Sequence, residues 1–452
     1  MNLPSSLQSK RHPTIQVSYA MASIEGGSAS LHVRGSKKEQ VAQIKKSYED
    51  DKEKKKSARY SHIPRFSCLK TKTDEMGNFD MEMEVKTAQG DRPSPTHLVV
   101  MVNGIIGSAQ NWKYAARQFL MKYPEDLIVH CSKRNSSMLT FDGVDVMGDR
   151  LAQEVCYGLL IKPLMFLFWI VISVIKRRPS VRKISFISHS LGGLISRNNG
   201  SGDTFQNGKI AGLEPINFIT SATPHLGSRG HKQVPVFCGF YTLEKAAART
   251  SWFLGRTGKH LFLTDSDEGK PPLLLQMVTD CEDLKFISAL QSFRRRVAYA
   301  NARFDLKEIG KNLTIFLDLV GWSTSSLRLP DELPKKQHLR RADKYPHVVN
   351  VETAKTASPR EEINLESIKP GSETADIQEK MLRGLTAVSW ERVDVNFSGS
   401  KQRFLAHSTI QASFVHFLDS SRKQSSLYTV KTYCINSDGA DVIQHMIDNF
   451  IP

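Results

Sequence analysis

Cysteine is scarce and scattered in this 452-residue sequence. The six cysteines form no CxxC pair and lie at positions 68, 131, 156, 238, 281 and 434. Zinc sites and disulfide-stapled domains need closely placed cysteines, so both are disfavoured, and a reducing compartment is favoured. No His/Cys/Asp cluster has the spacing of metal ligands, so we expect neither a metal nor a cofactor.

Long apolar runs are also lacking. No secretory h-region is present, so we do not expect a secreted protein. The most apolar stretch is Leu164–Ile175, which only Ser173 interrupts and which follows Lys162 and Pro163. A spanning helix needs about 20 apolar residues, so this stretch favours a buried or interfacial helix over a transmembrane one.

Acidic residues are missing from the start of the chain, where the first is Glu25. Residues 1–62 are basic and partly Ser-rich, which fits either a disordered tail or a transit peptide. The expected location is therefore cytoplasmic or plastid. The net charge of +16 favours peripheral contact with anionic membranes. Because aromatic residues are not interleaved with the basic ones, nucleic acid is not an expected partner.

Short apolar runs recur along the chain, separated by loops or helix-like segments, as in a parallel sheet covered by helices. These runs are HLVVMV (97–102), LIVHC (127–131), KISFIS (183–188) and INFITSA (216–222). The segment FDMEMEV (79–85) alternates like a half-exposed strand. The sequence predicts an α/β fold.

The C-terminal part adds a strand candidate, WERVDVNF (390–397), and an amphipathic helix over 439–451. We divide the predicted core into 63–330 and 381–452. Residues 331–380 are polar and predict an insertion or linker. A cap over the site is predicted at 225–262, where several aromatic side chains would suit an acyl chain.

The segment KISFISHSLGGL contains the main chemical motif. A short apolar strand ends in Ser-His-Ser, and Gly192 and Gly193 permit a sharp turn and close packing. A strand, a tight turn with a central serine and a following helix form a nucleophile elbow. We therefore predict Ser190 as the nucleophile and the backbone N–H of Leu191 as an oxyanion donor.

A serine nucleophile needs a base, an orienting carboxylate and an oxyanion hole, in the α/β-hydrolase order Ser, Asp, His. For the carboxylate we favour Asp305, which follows the strand-like segment RRVAYANARF; Asp318, before VGW, is the alternative. For the base we favour His407, in a polar loop beyond the 390–397 strand. The alternative is His445, at the edge of the last helix.

The second glycine-rich turn is VVMVNGIIGSAQNW (99–112). It places Asn103 and Gly104 directly after a strand. Gly104 and Gly107 free the backbone to aim an N–H, predicted to be that of Ile105, at the Ser190 site. This turn is the expected second half of the oxyanion hole.

Together these motifs resemble a plant member of the putative serine esterase family, lipase-like proteins of the α/β-hydrolase superfamily. The resemblance rests on VNGIIGSAQNW, FDGVDVMGDRLAQEV, KISFISHSLGGL, AGLEPINFITSATPHLGSRGHKQVPVFCGF, RRVAYAN, VGWSTSSLR, AHSTIQ and NSDGADVIQHMIDNF. It implies an α/β-hydrolase fold and hydrolysis of lipid or other acyl esters through Ser190, an Asp and a His.

The sequence departs from the family pattern in several places. Ser188 stands where similar proteins usually carry Gly or Ala, and Asn103 where His is common. Four stretches look inserted or altered: Cys156–Trp169, Asn198–Gly208, Leu306–Leu319 and Ala412–Thr429. The working hypothesis is a serine ester hydrolase. The alternatives are an acyltransferase, or a catalytically impaired isoform that binds lipid or acts as a scaffold.

Overall fold

A computed structural model describes much of the chain from Leu69 to Pro452. The described residues are 69–73, 79–83, 94–156, 179–198, 205–228, 254–266, 270–281, 284–302, 322–329, 331–335, 339, 343–354, 374–400, 406–412, 414–416, 432–435 and 437–452. The predictions for residues 1–62, for the apolar run 164–175 and for most of the cap fall outside these ranges.

The centre of the fold is a nine-stranded sheet with the order β1-β2-β4-β3-β5-β8-β9-β11-β10. Its strands are β1 (Leu69–Thr73), β2 (Phe79–Met83), β3 (His97–Val102), β4 (Leu127–Cys131), β5 (Lys183–His189), β8 (Glu214–Ser221), β9 (Arg295–Asn301), β10 (Val348–Glu352) and β11 (Glu391–Val395). The short pairs β6 (Phe205–Gln206) with β7 (Lys209–Ile210), and β12 (Phe414–His416) with β13 (Thr432–Ile435), form two separate sheets.

The six strands from β4 to β11 in this order run parallel, whereas β1, β2 and β10 pair antiparallel at the two sides. Parallel neighbours end at the same edge of a sheet. The segments that follow β3, β5, β8, β9 and β11 therefore leave from one edge, where ligands bind in open α/β sheets.

Ten helices are described. They are α1 (Lys113–Lys122), α2 (Val144–Cys156), α3 (Leu191–Asn198), α4 (Gly255–Leu261), α5 (Leu273–Gln276), α6 (Phe286–Ser292), α7 (Trp322–Ser325), α8 (Thr374–Thr386), α9 (Ala406–Thr409) and α10 (Ala440–Asp448). Three 3₁₀ turns cover Ala109–Trp112, Ser137–Phe141 and Ser437–Gly439.

The core has two layers, one on each face of the sheet. Strand β3 shows why: Leu98, Val100 and Val102 pack into one cluster, and Val99 and Met101 into the other. Successive side chains of a strand point to opposite faces. Helices α2, α3, α6 and α8 contribute to the first cluster, and α1 and α10 to the second. A strand buried on both faces needs a continuous apolar run, which HLVVMV provides.

The α/β prediction is confirmed, and every apolar run used for it contains a strand. Two local expectations are corrected. The polar region 331–380 contains β10, whose Val348 and Val349 are buried, and also the start of α8. His407 lies in the one-turn helix α9 rather than in a loop. Among the described residues no helix is long and apolar enough to cross a membrane.

Candidate active site

A strained turn joins β5 to α3. Ser190 lies between His189, the last residue of the strand, and Leu191, the first of the helix, and has φ = 54°. A non-glycine residue in the left-handed region costs about 1–3 kcal/mol and persists where its surroundings enforce it. A serine held this way at a strand–helix turn is the geometry of a nucleophile elbow.

The two glycines after the turn let α3 pack closely. A Cβ added to Gly192 would lie 2.5 Å from the carbonyl oxygen of Val102, and one added to Gly193 would lie 2.2 Å from Thr223 Oγ1. Both distances are far below carbon–oxygen contact. The glycines therefore bring the helix, and with it Ser190, against the ends of β3 and β8.

Ser188 fits the first position of the elbow despite its hydroxyl. Its Oγ lies 2.7 Å from Ser196 Oγ, and Ser196 Oγ is 2.9 Å from the carbonyl oxygen of Gly192. A buried hydroxyl is tolerated when it is hydrogen-bonded. The hydroxyl of Ser188, which replaces the usual Gly or Ala, is thus satisfied by Ser196 of α3, and the turn at Ser190 is kept.

His407 is brought to the Ser190 side chain. Its Nε2 lies 2.9 Å from Ser190 Oγ, although the two residues are 217 positions apart in the chain. Burial lowers the pKa of His407 well below its ordinary value, and the neighbouring His189 lowers it further. The imidazole is therefore neutral at neutral pH, as a proton acceptor must be.

The other ring nitrogen of His407 has no partner within the described residues: Nδ1 is buried and makes no hydrogen bond there. For Nε2 to accept the serine proton, Nδ1 must carry the proton of the neutral ring. A buried N–H without an acceptor is costly, by about 1–3 kcal/mol. The site as described therefore lacks the acceptor that would hold this tautomer.

Asp305 and Asp318, the two predicted carboxylates, both lie outside the described residues. The chain before Asp305 is described up to Ala302, whose N–H donates to the Val395 carbonyl oxygen at 2.7 Å. The chain after Asp318 is described from Trp322, whose Nε1–H donates to Asp394 Oδ1 at 2.7 Å. Asp305 thus follows the site edge of β9 by a few residues.

His445 is engaged elsewhere. Its Nδ1 lies within hydrogen-bond distance, 2.8 Å, of the Tyr299 hydroxyl oxygen, and its ring packs edge-on against Tyr345. It is buried on the inner side of α10, where burial lowers its pKa to about 4. Of the two predicted bases, the structure places His407 against Ser190 and His445 in a packing contact.

The oxyanion loop follows β3 and touches the elbow through Gly104. A Cβ there would lie 2.7 Å from Ser190 Cβ. Within the described part of the chain, neither the Ile105 nor the Leu191 amide N–H meets a hydrogen-bond acceptor. Two free amides beside one nucleophile are what an oxyanion hole requires.

Two side chains hold this loop in place: Asn103, and Thr140, which the sequence did not single out. Asn103 Nδ2 donates to the carbonyl oxygens of Gly104 (3.1 Å) and Asn135 (2.8 Å). The amide of Ile106, which has φ = 55°, donates to Thr140 Oγ1 at 2.9 Å. Asn103 thus acts on the loop through two carbonyls. Nothing in the pattern around Thr140 marks its contact with Ile106, because the two are 34 positions apart.

No group of three or more His, Cys, Asp or Glu side chains that could hold a metal ion is found among the residues the structure describes. The chemistry that this arrangement can perform is nucleophilic: a hydroxyl, a neutral imidazole in contact with it, and two free backbone donors.

Comparison with known proteins shows similarity to putative serine esterases and to putative lipases. Residues 92–307, just under half of the chain, match the family described as "Putative serine esterase (DUF676)". Two Saccharomyces cerevisiae proteins are similar. "Putative lipase ROG1" is 28% identical over 257 residues, 54% of this chain and 31% of the relative. "Putative lipase YDL109C" is 27% identical over 241 residues, which are 50% of this chain and 32% of the relative. The chain thus spans about a third of the length of these relatives.

Solved structures with a similar arrangement include two bacterial lipolytic enzymes. The mature lipase BlEst2 of Bacillus licheniformis is 15% identical, with a TM-score of 0.27, over 49% of this chain and 71% of that one. Phospholipase PlaB of Legionella pneumophila is 16% identical, with a TM-score of 0.28, over 47% of this chain and 40% of that one. At such TM-scores the likeness adds nothing to the strand order and the elbow described above.

Proposed function

We propose that this chain, which is similar to the putative serine esterases, is a serine hydrolase that hydrolyses carboxylic esters of lipids or other acyl compounds. Ser190 is the nucleophile and His407 the general base. The observation that carries this proposal is the 2.9 Å contact between His407 Nε2 and Ser190 Oγ at a serine held in the left-handed region.

The reaction has two half-reactions through an acyl-enzyme. Ser190 Oγ attacks the ester carbonyl carbon while its proton passes to His407 Nε2. The tetrahedral intermediate collapses, the bond to the alcohol oxygen breaks, and His407 returns the proton to that oxygen. In the second half-reaction water attacks the acyl carbon while one of its protons passes to His407 Nε2. The bond from the acyl carbon to Ser190 Oγ then breaks, His407 returns the proton to that oxygen, and the carboxylic acid leaves.

The negative charge that develops on the carbonyl oxygen is stabilised by the amides of Leu191 and Ile105. One belongs to the first residue of α3 and the other to the glycine-rich loop after β3. Each well-aimed donor of this kind lowers the barrier by about 2.7–4 kcal/mol.

The carboxylate that orients His407 is Asp305. His407 Nδ1–H needs an acceptor that the described residues do not supply. In the sequence Asp305 follows Ala302, the last described residue after β9, by three positions, and β9 is parallel to β11, the strand that precedes His407 in the chain. Asp318 stays the alternative.

The decisive experiment is covalent labelling with a fluorophosphonate, followed by hydrolysis of a panel of lipid and p-nitrophenyl esters. The purified chain should be labelled and should turn over short-chain esters. The Ser190→Ala variant should lose both the labelling and the ester turnover. It should keep the same thermal unfolding curve, since the side chain loses only one oxygen. Labelling that persists in a folded Ser190→Ala variant would overturn the assignment.

A catalytically impaired isoform that binds lipid is the second candidate, and it is favoured by the lack of an acceptor for His407 Nδ1 among the residues that the structure describes. In that case the chain is folded but reacts slowly with the probe and with every ester of the panel. An acyltransferase would react with the probe and would transfer the acyl group to an added alcohol or lysolipid in preference to water. Product analysis with and without such an acceptor separates transfer from hydrolysis.

A further inference from the structure

His189 makes an unusual contact for the residue before a nucleophile. Its Nε2 lies 2.7 Å from the backbone carbonyl oxygen of His407, and the two imidazole rings are 4.7 Å apart between centroids. A carbonyl oxygen can only accept, so Nε2 of His189 carries a proton and donates. Burial lowers the pKa of His189 to about 4, which keeps the ring neutral with a single proton at neutral pH.

The accepting carbonyl is the one that α9 leaves unused. Within this turn the carbonyl oxygens of Ala406, Ser408 and Thr409 accept from the amides of residues 410, 411 and 412. The His407 carbonyl is skipped and is taken by His189 instead. The last carbonyls of a helix need an external partner when they are buried, and His189 supplies it.

A helix as short as α9 has no stability of its own. Tertiary contacts therefore decide where His407 lies. On one side Gly439 packs so tightly that a Cβ there would lie 1.8 Å from the Thr409 carbonyl oxygen. On the other side α9 is held by the hydrogen bond from His189, the last residue of β5 and the residue directly before Ser190.

We propose that His189 is a positioning residue for the general base: its side-chain N–H fixes the backbone of His407 relative to Ser190, so that one strand end sets both partners of the proton transfer. This inference rests on the proposed function. The contacts of the His189 side chain within the described residues are with His407, so it acts on the reaction through His407.

The consequence is a loss in kcat with KM nearly unchanged, because the ester-binding surface is not altered. A misplacement of about 1 Å in a reacting group costs about 10²-fold in rate. His189→Phe keeps a ring of similar size but removes the donor, and should lower kcat and the rate of fluorophosphonate labelling by about that factor. His189→Gln places an amide N–H close to the position of Nε2 and should restore most of the loss.

The matched control is His97→Phe. His97 is buried at the start of β3, at the opposite edge of the sheet, and its Nε2 lies 2.7 Å from Ser185 Oγ. The His97→Phe variant loses a buried imidazole hydrogen bond of the same length as that of His189, but far from the site. We expect a lower thermal midpoint with parent-like kcat. Thermal unfolding of all variants shows that the comparison is made on folded protein.

The outcomes separate the two proposals. A parent chain that resists the probe and all esters overturns the proposed function, and this inference with it. A reactive parent with a parent-like kcat in folded His189→Phe overturns only the positioning role of His189. So does a His189→Gln variant as slow as His189→Phe. If His189→Phe does not fold, the comparison uses His189→Gln and His189→Ala. A near-parent kcat in His189→Gln together with slower labelling in folded His189→Ala supports the positioning role. Parent-like labelling in folded His189→Ala overturns it.

Discussion

A single methyl group added at Gly104 tests the geometry of the site most directly. The Cβ of Gly104→Ala would lie 2.7 Å from Ser190 Cβ, and 3.2 Å from both Ser190 Oγ and the His189 carbonyl oxygen. Carbon atoms in contact are normally about 3.5–4.0 Å apart. The loop and the elbow must therefore separate by about 1 Å.

The separation cannot be absorbed elsewhere at low cost. Ser190 is held by its strand–helix turn, and the loop by Asn103 and the contact of Ile106 with Thr140. Moving the Ile105 amide away from the developing oxyanion by about 1 Å should cost about 10²-fold in kcat. Overpacking should lower the free energy of unfolding by about 1–3 kcal/mol, partly offset by ~0.4–1 kcal/mol from the stiffer unfolded chain.

The control is the same substitution at Gly212. Its φ is 77°, and a Cβ there would meet nothing within 4 Å. Gly212→Ala should cost about 1–2 kcal/mol of stability, because an L-residue is strained in this conformation, and should leave kcat unchanged. The assay is turnover of a short-chain p-nitrophenyl ester beside urea unfolding. A parent-like kcat in Gly104→Ala, or an equal loss of activity per folded molecule in Gly212→Ala, would refute this role of the contact between Gly104 and Ser190.

Three further predictions concern the base, the acid and a buried pair. His407→Ala should abolish ester turnover. His445→Ala, which removes the hydrogen-bond partner of the Tyr299 hydroxyl, should lower thermal stability and keep kcat. The opposite ranking of the two variants would exchange the roles of the two histidines. Asp305→Asn should lower kcat by a factor of about 10⁴ and Asp318→Asn should not, so steady-state kinetics of the two variants chooses between them. Burial alone would raise the pKa of Glu154, but its hydrogen bonds with His130 and Ser132 and the charge of His130 lower it below the ordinary value. This carboxylate thus stabilises the fold above its unfolded-state pKa, and the contribution is lost as the pH falls through the folded-state pKa. Glu154→Gln should flatten the acid side of a plot of unfolding free energy against pH, and an unchanged plot would contradict the assignment.

The elements that the sequence predicts well are those with a local cause. HLVVMV and KISFIS are buried on both faces of the sheet, so their apolar character is continuous and visible. The elbow is equally local, since the strand, Ser190 and the two glycines are adjacent in the chain. The strand β10 is not predicted by the sequence because VVNVE is short and lies in a polar region. It is stabilised by pairing with β11, whose paired residues lie 40 (Glu352 with Arg392) to 47 (Val348 with Val395) positions further along the chain.

The Ser190 motif, the strand positions and the α/β class follow from the sequence by itself, because each depends on neighbouring residues and on the period of a strand. The tertiary structure alone decided that His407 rather than His445 meets Ser190, that Asn103 and Thr140 hold the glycine-rich loop after β3, and that His189 donates to the backbone carbonyl of His407. These contacts join residues 32 to 218 positions apart. No local pattern encodes them, since they depend on the order in which the parallel strands lie and on the shared edge where their ends meet.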